Sequence, residues 1–219
     1  MLKKIFFTFL FLLSVFFSTA QPFADEIRAF KKQDSVRLSA KNSILFVGSS
    51  SFRKWTDVQQ FFPAYPIVNR GFGGSSLTDV IRYENDIIFP YQPRQVVIYC
   101  GENDLASSDS ITGQIVFERF KILFGDIRNK YPKTPIAFVS IKPSISRQRL
   151  MPKMEEANKL IKDFLKKKKN TAFIDVYHKM LKADGSPMDD IFIEDNLHMN
   201  AKGYVIWQKI IEPYLLKNK

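Results

Sequence analysis

The chain holds one cysteine, Cys100, and two histidines, His178 and His198, among its 219 residues. A lone cysteine excludes an intramolecular disulfide, whatever the redox state of its compartment. Cys100 closes the apolar run Val96-Val97-Ile98-Tyr99 and reads as a small buried core residue. The histidines stand twenty residues apart, and neither belongs to a His-x3-His or Cys-x2-Cys pair. A zinc site therefore has no ligand set, and no metal or cofactor is expected. Glycine is scarce, at nine residues, with no Gly/Ser-rich linker and no internal repeat, so one domain is the economical reading. The formal net charge of +11 invites a nucleic-acid partner. No aromatic-interleaved basic stripe or nucleic-acid motif accompanies it, so none is expected.

The longest apolar stretch is at the start. Met1-Leu2-Lys3-Lys4 is a short positive segment, Ile5 to Phe17 is almost continuously apolar, and Ser18-Thr19-Ala20 supplies small residues. This is the pattern of a signal peptide over 1–20, cut between Ala20 and Gln21, with the mature domain at 21–219. Its apolar core is shorter than the ~20 residues of a membrane span, so no stable insertion is expected after cleavage. No cysteine follows it to carry a lipid anchor. The expected destination is secreted or periplasmic. The leader carries two lysines and no acid, so its loss lowers the net charge from +11 to +9. What remains is long enough to bury one substantial core. The sharpest basic feature left is Lys166-Lys167-Lys168-Lys169, which reads as the solvated end of a helix capped by Asn170.

Five short apolar runs recur along the mature chain: Ile44–Val47, Ile67–Asn69, Val96–Cys100, Ile136–Ile141 and Ala172–Val176. Amphipathic segments separate them over Ser76–Ile88, Thr112–Lys130 and Met154–Lys169, and a last one runs over Ala201–Leu216. Strands alternating with helices of this length predict an α/β protein whose parallel sheet is covered on both faces. Ligands of such sheets bind beyond the carboxyl ends of the strands. The strand-end loops therefore belong together: Gly48-Ser49-Ser50-Ser51, Asn69-Arg70-Gly71-Phe72-Gly73-Gly74-Ser75, Gly101-Glu102-Asn103-Asp104, and Asp195-Asn196-Leu197-His198 before the final helix.

Those loops contain what acyl transfer needs. A serine hydroxyl becomes nucleophilic when a histidine takes its proton, and the histidine needs an acceptor on its other nitrogen. His198 is the best base, and Asp195 is close enough in sequence to fix its tautomer. His178, after the fifth run, is the competitor, with Asp175 its sequence-local acid. Glycines at 71, 73 and 74 let backbone come close to an oxyanion, and the Asn103 amide offers further N–H donors. A dinucleotide fold would carry its glycines after the first strand, and no P-loop lysine is present. From the residues alone, which of Ser49, Ser50 and Ser51 reacts stays open.

Taken together, the four loops resemble the four blocks of the SGNH hydrolases, also called GDSL-type esterases and lipases. Within that family, Asn69-x-Gly71-x-Gly73-Gly74 looks most like the platelet-activating-factor acetylhydrolase-like branch. The resemblance implies a three-layer α/β/α flavodoxin-like fold with a five-stranded parallel sheet in the order 2-1-3-4-5. It makes Ser50 the nucleophile, with His198 and Asp195 completing a triad. The Ser50 and Gly74 amides and the Asn103 side chain become the oxyanion hole. One position departs from the family: Ser49 stands where the first block usually has aspartate.

The implied activity is that of an exported serine esterase acting on a small-molecule or glycan ester. An acetyl group on a carbohydrate is the favoured short acyl ester. The loops Lys142–Pro152 and Asp184–Glu194 are expected to wall the site, with Arg147 and Arg149 available to an anionic substrate. Two other readings share the fold: a glycan-binding protein without turnover, and an acyltransferase using the same triad.

Overall fold

The computed structural model describes residues 21–36 and 42–217. The expected leader at 1–20 lies outside them.

Five strands form one parallel sheet in the order β2-β1-β3-β4-β5. They are β1 (Ile44–Gly48), β2 (Ile67–Gly71), β3 (Gln95–Tyr99), β4 (Ile136–Val139) and β5 (Thr171–Ile174). The central strands β1, β3 and β4 are buried along their whole length, which is why they read as continuous apolar runs instead of alternating ones. β2 and β5 are the sheet's edges and are half-buried over most of their residues.

Alternate side chains feed two separate cores. Leu45, Val47, Val96, Ile98, Ile136 and Phe138 face a core completed by α4 (Leu77–Arg82), α5 (Glu84–Ile87), α7 (Gly113–Lys130) and α8 (Met151–Leu165). Ile44, Phe46, Val97, Tyr99 and Val139 face the other, closed by α2 (Ser50–Arg53), α3 (Val58–Phe61) and α9 (Ala201–Ile211). The layers are therefore helix, sheet, helix, as the sequence predicts.

The register sets the site. Gly48 pairs with Gly71 on one side and Tyr99 on the other, so three strands end at one level. The loops that follow them leave from a common edge.

Several elements differ from the sequence expectation. α1 (Ala24–Val36) packs on the first core without having shown a clear apolar periodicity. The segment expected as one helix over Ser76–Ile88 breaks at Tyr83, whose φ of −104° and ψ of 8° end α4 before α5 begins. The helix expected over Met154–Lys169 starts earlier, at Met151, and stops at Leu165. The four lysines lie beyond its end, where Thr171 Oγ1 donates to the Leu165 and Lys168 carbonyls. Asn170, at φ 55°, turns the chain into β5.

Candidate active site

β1 delivers the three serines to the edge. Gly48 has φ 132°, and a Cβ there would lie 1.9 Å from the Tyr99 carbonyl oxygen, so only glycine fits between β1 and β3. Ser49 still follows the ladder, its N–H donating to Tyr99 O at 2.9 Å, and its side chain is buried. Ser50 opens α2 and is half-buried, whereas Ser51 points inward and is buried. Phe52 anchors this short helix with no exposed surface, its ring 4.8 Å from Phe46 and 6.0 Å from Trp207. Tyr204 on α9 adds a hydrogen bond to Ser51 O at 2.9 Å. A four-residue helix is unstable alone. Here it is fixed by the core beneath it.

α9 also fixes the opposite side. Asn200 caps its first turn, accepting from Lys202 N and Gly203 N. The two residues before this cap are His198 and Met199. His198 closes a tight turn in which Asn196 adopts φ 53°, and Ile193 N donates to His198 O at 2.8 Å. Asp195 Oδ1 accepts from the backbone N–H of both Leu197 and His198. Its Oδ2 lies 2.5 Å from His198 Nδ1, and His198 Nε2 lies 2.9 Å from Ser50 Oγ.

An ionised carboxylate only accepts, so its partner Nδ1 carries the proton and Nε2 is left to accept from the serine hydroxyl. Partial burial works against the Asp195 charge. The His198 ring and the two backbone N–H groups outweigh it and hold the carboxyl at about 2. Asp195 is thus ionised at neutral pH.

His178 repeats the local pattern. Its Nδ1 is 2.8 Å from Asp175 Oδ2, and its N–H donates to Asp175 Oδ1 at 3.2 Å. Its side chain is 71% exposed, against 15% for His198. Among the described residues, no serine hydroxyl hydrogen-bonds to it. The Asp-x-x-His spacing makes the pair; the fold decides which pair meets Ser50.

The third and fourth components come from the β2 and β3 ends. Gly74 is exposed, and a Cβ on it would sit 3.8 Å from Asn103 Nδ2, so the glycine backbone adjoins the asparagine amide. Asn103 lies in α6 (Glu102–Ser107). Its Nδ2 donates to Ser49 Oγ at 2.7 Å and to Ser75 O at 3.1 Å. Asp104, beside it, is fully buried and structural. It accepts from Leu77 N at 2.9 Å and pairs with Arg119 at 2.7 Å, tying α6 to α4 and α7.

The loop after β4 departs from expectation. Arg149 is 68% exposed and pairs with Asp109. Arg147 is not solvated: Nη2 donates to Asn103 Oδ1 at 2.9 Å, and Nη1 stands 3.6 Å from Glu102. Lys142, fully buried, pairs with Glu102 at 3.1 Å and donates to Leu197 O at 2.7 Å. Burial pushes the Glu102 carboxyl up, but Lys142, Arg147 and the Tyr99 hydroxyl overcome this and leave it below the ordinary range. This hub was missed in the sequence, where a lysine in a loop reads as exposed.

Among the described residues, no group of three or more His, Cys, Asp or Glu side chains is arranged to hold a metal ion. Nor is any helix among them long and apolar enough to cross a membrane.

This sheet order, with its polar loops gathered at one edge, is that of the SGNH hydrolase fold. The sequence matches the GDSL-like lipase/acylhydrolase family over residues 42–206, and the chain belongs to that family. No curated protein matches it. Among solved structures it resembles a protein from Streptococcus pneumonia provisionally described as a platelet activating factor. The TM-score is 0.75 at 19% identity, covering 88% of this chain and 92% of that one. A GDSL-like lipase from Bacteroides thetaiotaomicron VPI-5482 gives 0.71 at 18% identity, over 86% and 96% of the two chains. A carbohydrate esterase family 3 protein from Talaromyces cellulolyticus gives 0.63 at 16% identity, over 79% and 95%.

Proposed function

We propose that the protein is an exported serine esterase that hydrolyses short-chain acyl esters, acetyl esters foremost, carried on carbohydrates. The observation that carries this reading is the continuous hydrogen-bonded line from Asp195 through His198 to Ser50 Oγ. Membership of an acylhydrolase family supports hydrolysis, and the likeness to a carbohydrate esterase supports the substrate class. The leader pattern at residues 1–20 supports export.

In the proposed reaction, Ser50 Oγ attacks the ester carbonyl carbon while its proton passes to His198 Nε2. The carbonyl π pair moves to oxygen. The resulting oxyanion is held by the Ser50 and Gly74 amides and the Asn103 side chain. Collapse of the intermediate breaks the carbon–oxygen bond, and the imidazolium gives its proton to the leaving alkoxide. Water then attacks the acyl-serine, His198 takes its proton, and the acid departs as Ser50 is regenerated. Asp195 keeps its charge throughout and stabilises the imidazolium.

The test is release of acetate from p-nitrophenyl acetate and acetylated glycans by the chain from residue 21 onward, with and without a sugar acceptor. Hydrolysis that the acceptor leaves unchanged is expected. Transfer to the acceptor outrunning hydrolysis identifies an acyltransferase instead. Glycan binding without acetate release identifies a binding protein.

A further inference from the structure

An asparagine side chain can donate to an oxyanion only if its amide faces the right way, and its two ends differ little in shape. Asn103 is held from both ends. Its Oδ1 accepts from Arg147 Nη2 at 2.9 Å, and its Nδ2 donates to Ser49 Oγ at 2.7 Å and to Ser75 O at 3.1 Å. A guanidinium has no acceptor and a carbonyl has no donor, so a flipped amide would lose the bonds to Arg147 and Ser75. Arg147 is itself held. It lies in the segment Ile145–Leu150 after β4, its side chain is 19% exposed, and Nη1 faces Glu102, which is 5% exposed. Glu102 also accepts from Tyr99 Oη at 2.7 Å and pairs with Lys142. The arginine is therefore braced against the core and presents one arm to Asn103.

We infer that Arg147 is a positioning residue for the reaction: it fixes the Asn103 amide with Nδ2 beside Ser49 Oγ and the Gly74 backbone, and polarises that amide as negative charge develops on the substrate oxygen. The inference rests on the esterase reading for its kinetic consequences, but not for the geometry it asserts. A guanidinium on Oδ1 draws electron density from the amide and makes its N–H groups better donors. That contribution grows with charge on the substrate oxygen, so it acts on the transition state more than on the bound ester. Arg147 touches Asn103 and not the reacting atoms.

The experiment compares Arg147→Ala, Arg147→Lys, Asn103→Ala and the double variant Arg147→Ala/Asn103→Ala, with p-nitrophenyl acetate as substrate. Loss of one oxyanion donor costs about 10²–10³-fold in kcat, and Arg147→Ala, acting through it, is expected to cost about 10- to 100-fold with KM changed little. The double variant should be no slower than Asn103→Ala alone, because the two residues act on one hydrogen bond. Added guanidinium should restore part of the activity of Arg147→Ala and none of that of Asn103→Ala. Arg147→Lys keeps the charge but not the fork, and should fall between wild type and alanine.

A raised KM with unchanged kcat, or fully additive losses in the double variant, would overturn the inference. A second readout needs no turnover: the side-chain amide resonances of Asn103 in an 15N-labelled sample. They should shift in Arg147→Ala while the backbone spectrum outside the loop stays as in wild type. Unmoved Asn103 resonances overturn the inference even if the wild type is a good esterase. Moved resonances in a wild-type-like fold uphold the positioning role even if no ester is cleaved, in which case the esterase reading alone fails.

Discussion

Ser49 Oγ accepts a hydrogen bond from Asn103 Nδ2 at 2.7 Å. The serine at the position where the resemblance implies aspartate is thus an acceptor on the amide proposed to bind the oxyanion, and among the described residues the serine hydroxyl hydrogen-bonded to His198 is that of Ser50. The Ser49 hydroxyl holds one N–H of Asn103. Removing that hydroxyl should leave chemistry almost intact. Ser49→Ala is expected to retain p-nitrophenyl acetate hydrolysis within about fivefold, and to lose about 1 kcal/mol of stability as one hydrogen bond goes. Abolished turnover in a folded Ser49→Ala protein would make Ser49, and not Ser50, the reacting serine.

Gly48 separates β1 from the first serine at φ 132°, where a Cβ would meet the Tyr99 carbonyl oxygen at 1.9 Å. Strain at φ and a backbone clash act together, so Gly48→Ala should cost upward of about 3 kcal/mol. Urea unfolding followed by tryptophan fluorescence measures this directly. A loss below about 1 kcal/mol would contradict the proposed packing of β1 against β3.

α1 precedes the family match but touches the glycine loop. Glu26 Oε2 accepts from Gly73 N at 3.1 Å, and the Phe23 ring meets Phe72 edge-on at 5.2 Å. A Cβ on Gly73 would come within 2.4 Å of Phe23. Phe23→Ala should therefore loosen the loop that carries Gly74 and lower kcat about three- to tenfold, an effect equivalent to roughly 1 kcal/mol. Unchanged kinetics would show that the loop holds its shape without the Phe23 ring.

Glu84 gives the stability a pH dependence. Burial, with the Asp126 charge behind it, raises its carboxyl from 4.5 to about 7. The folded state therefore keeps a proton that the unfolded chain releases between those values. Stability should fall as the pH rises from about 5 to 7 and then level off. Glu84→Gln removes the ionisation, so its Tm should exceed wild type at pH 8 and match it near pH 4.5. A parallel pair of Tm curves across that range would contradict this.

The sheet and the chemistry-bearing loops were legible because each is written locally. Strands buried on both faces are apolar throughout, as Ile44–Val47 and Val96–Tyr99 are, and the loop contents follow at once in sequence. The pairing of Asp195 with His198 was readable for the same reason. What escaped depends on contacts between distant residues. α1 has Ile27 and Phe30 but a mostly charged surface, and it docks through Asp34 on Arg70, whose guanidinium lies 5.0 Å from the Phe30 ring centroid. Arg147 reaches Asn103 across 44 residues, and Lys142 reaches Leu197 across 55. A buried lysine leaves no trace in its own neighbourhood of sequence. The break at Tyr83 and the early end of α8 at Leu165 are set by packing and side-chain capping, which periodicity does not encode.

The central claim is that Ser50, activated by His198, is the one serine that reacts. A fluorophosphonate probe, with the labelled peptide mapped by mass spectrometry in wild type, Ser50→Ala, Ser51→Ala and His198→Ala, tests it most directly. The account predicts a single adduct on Ser50, retained in Ser51→Ala and lost in both Ser50→Ala and His198→Ala. An adduct on Ser49 or Ser51, or no adduct in the folded wild-type protein, would contradict it.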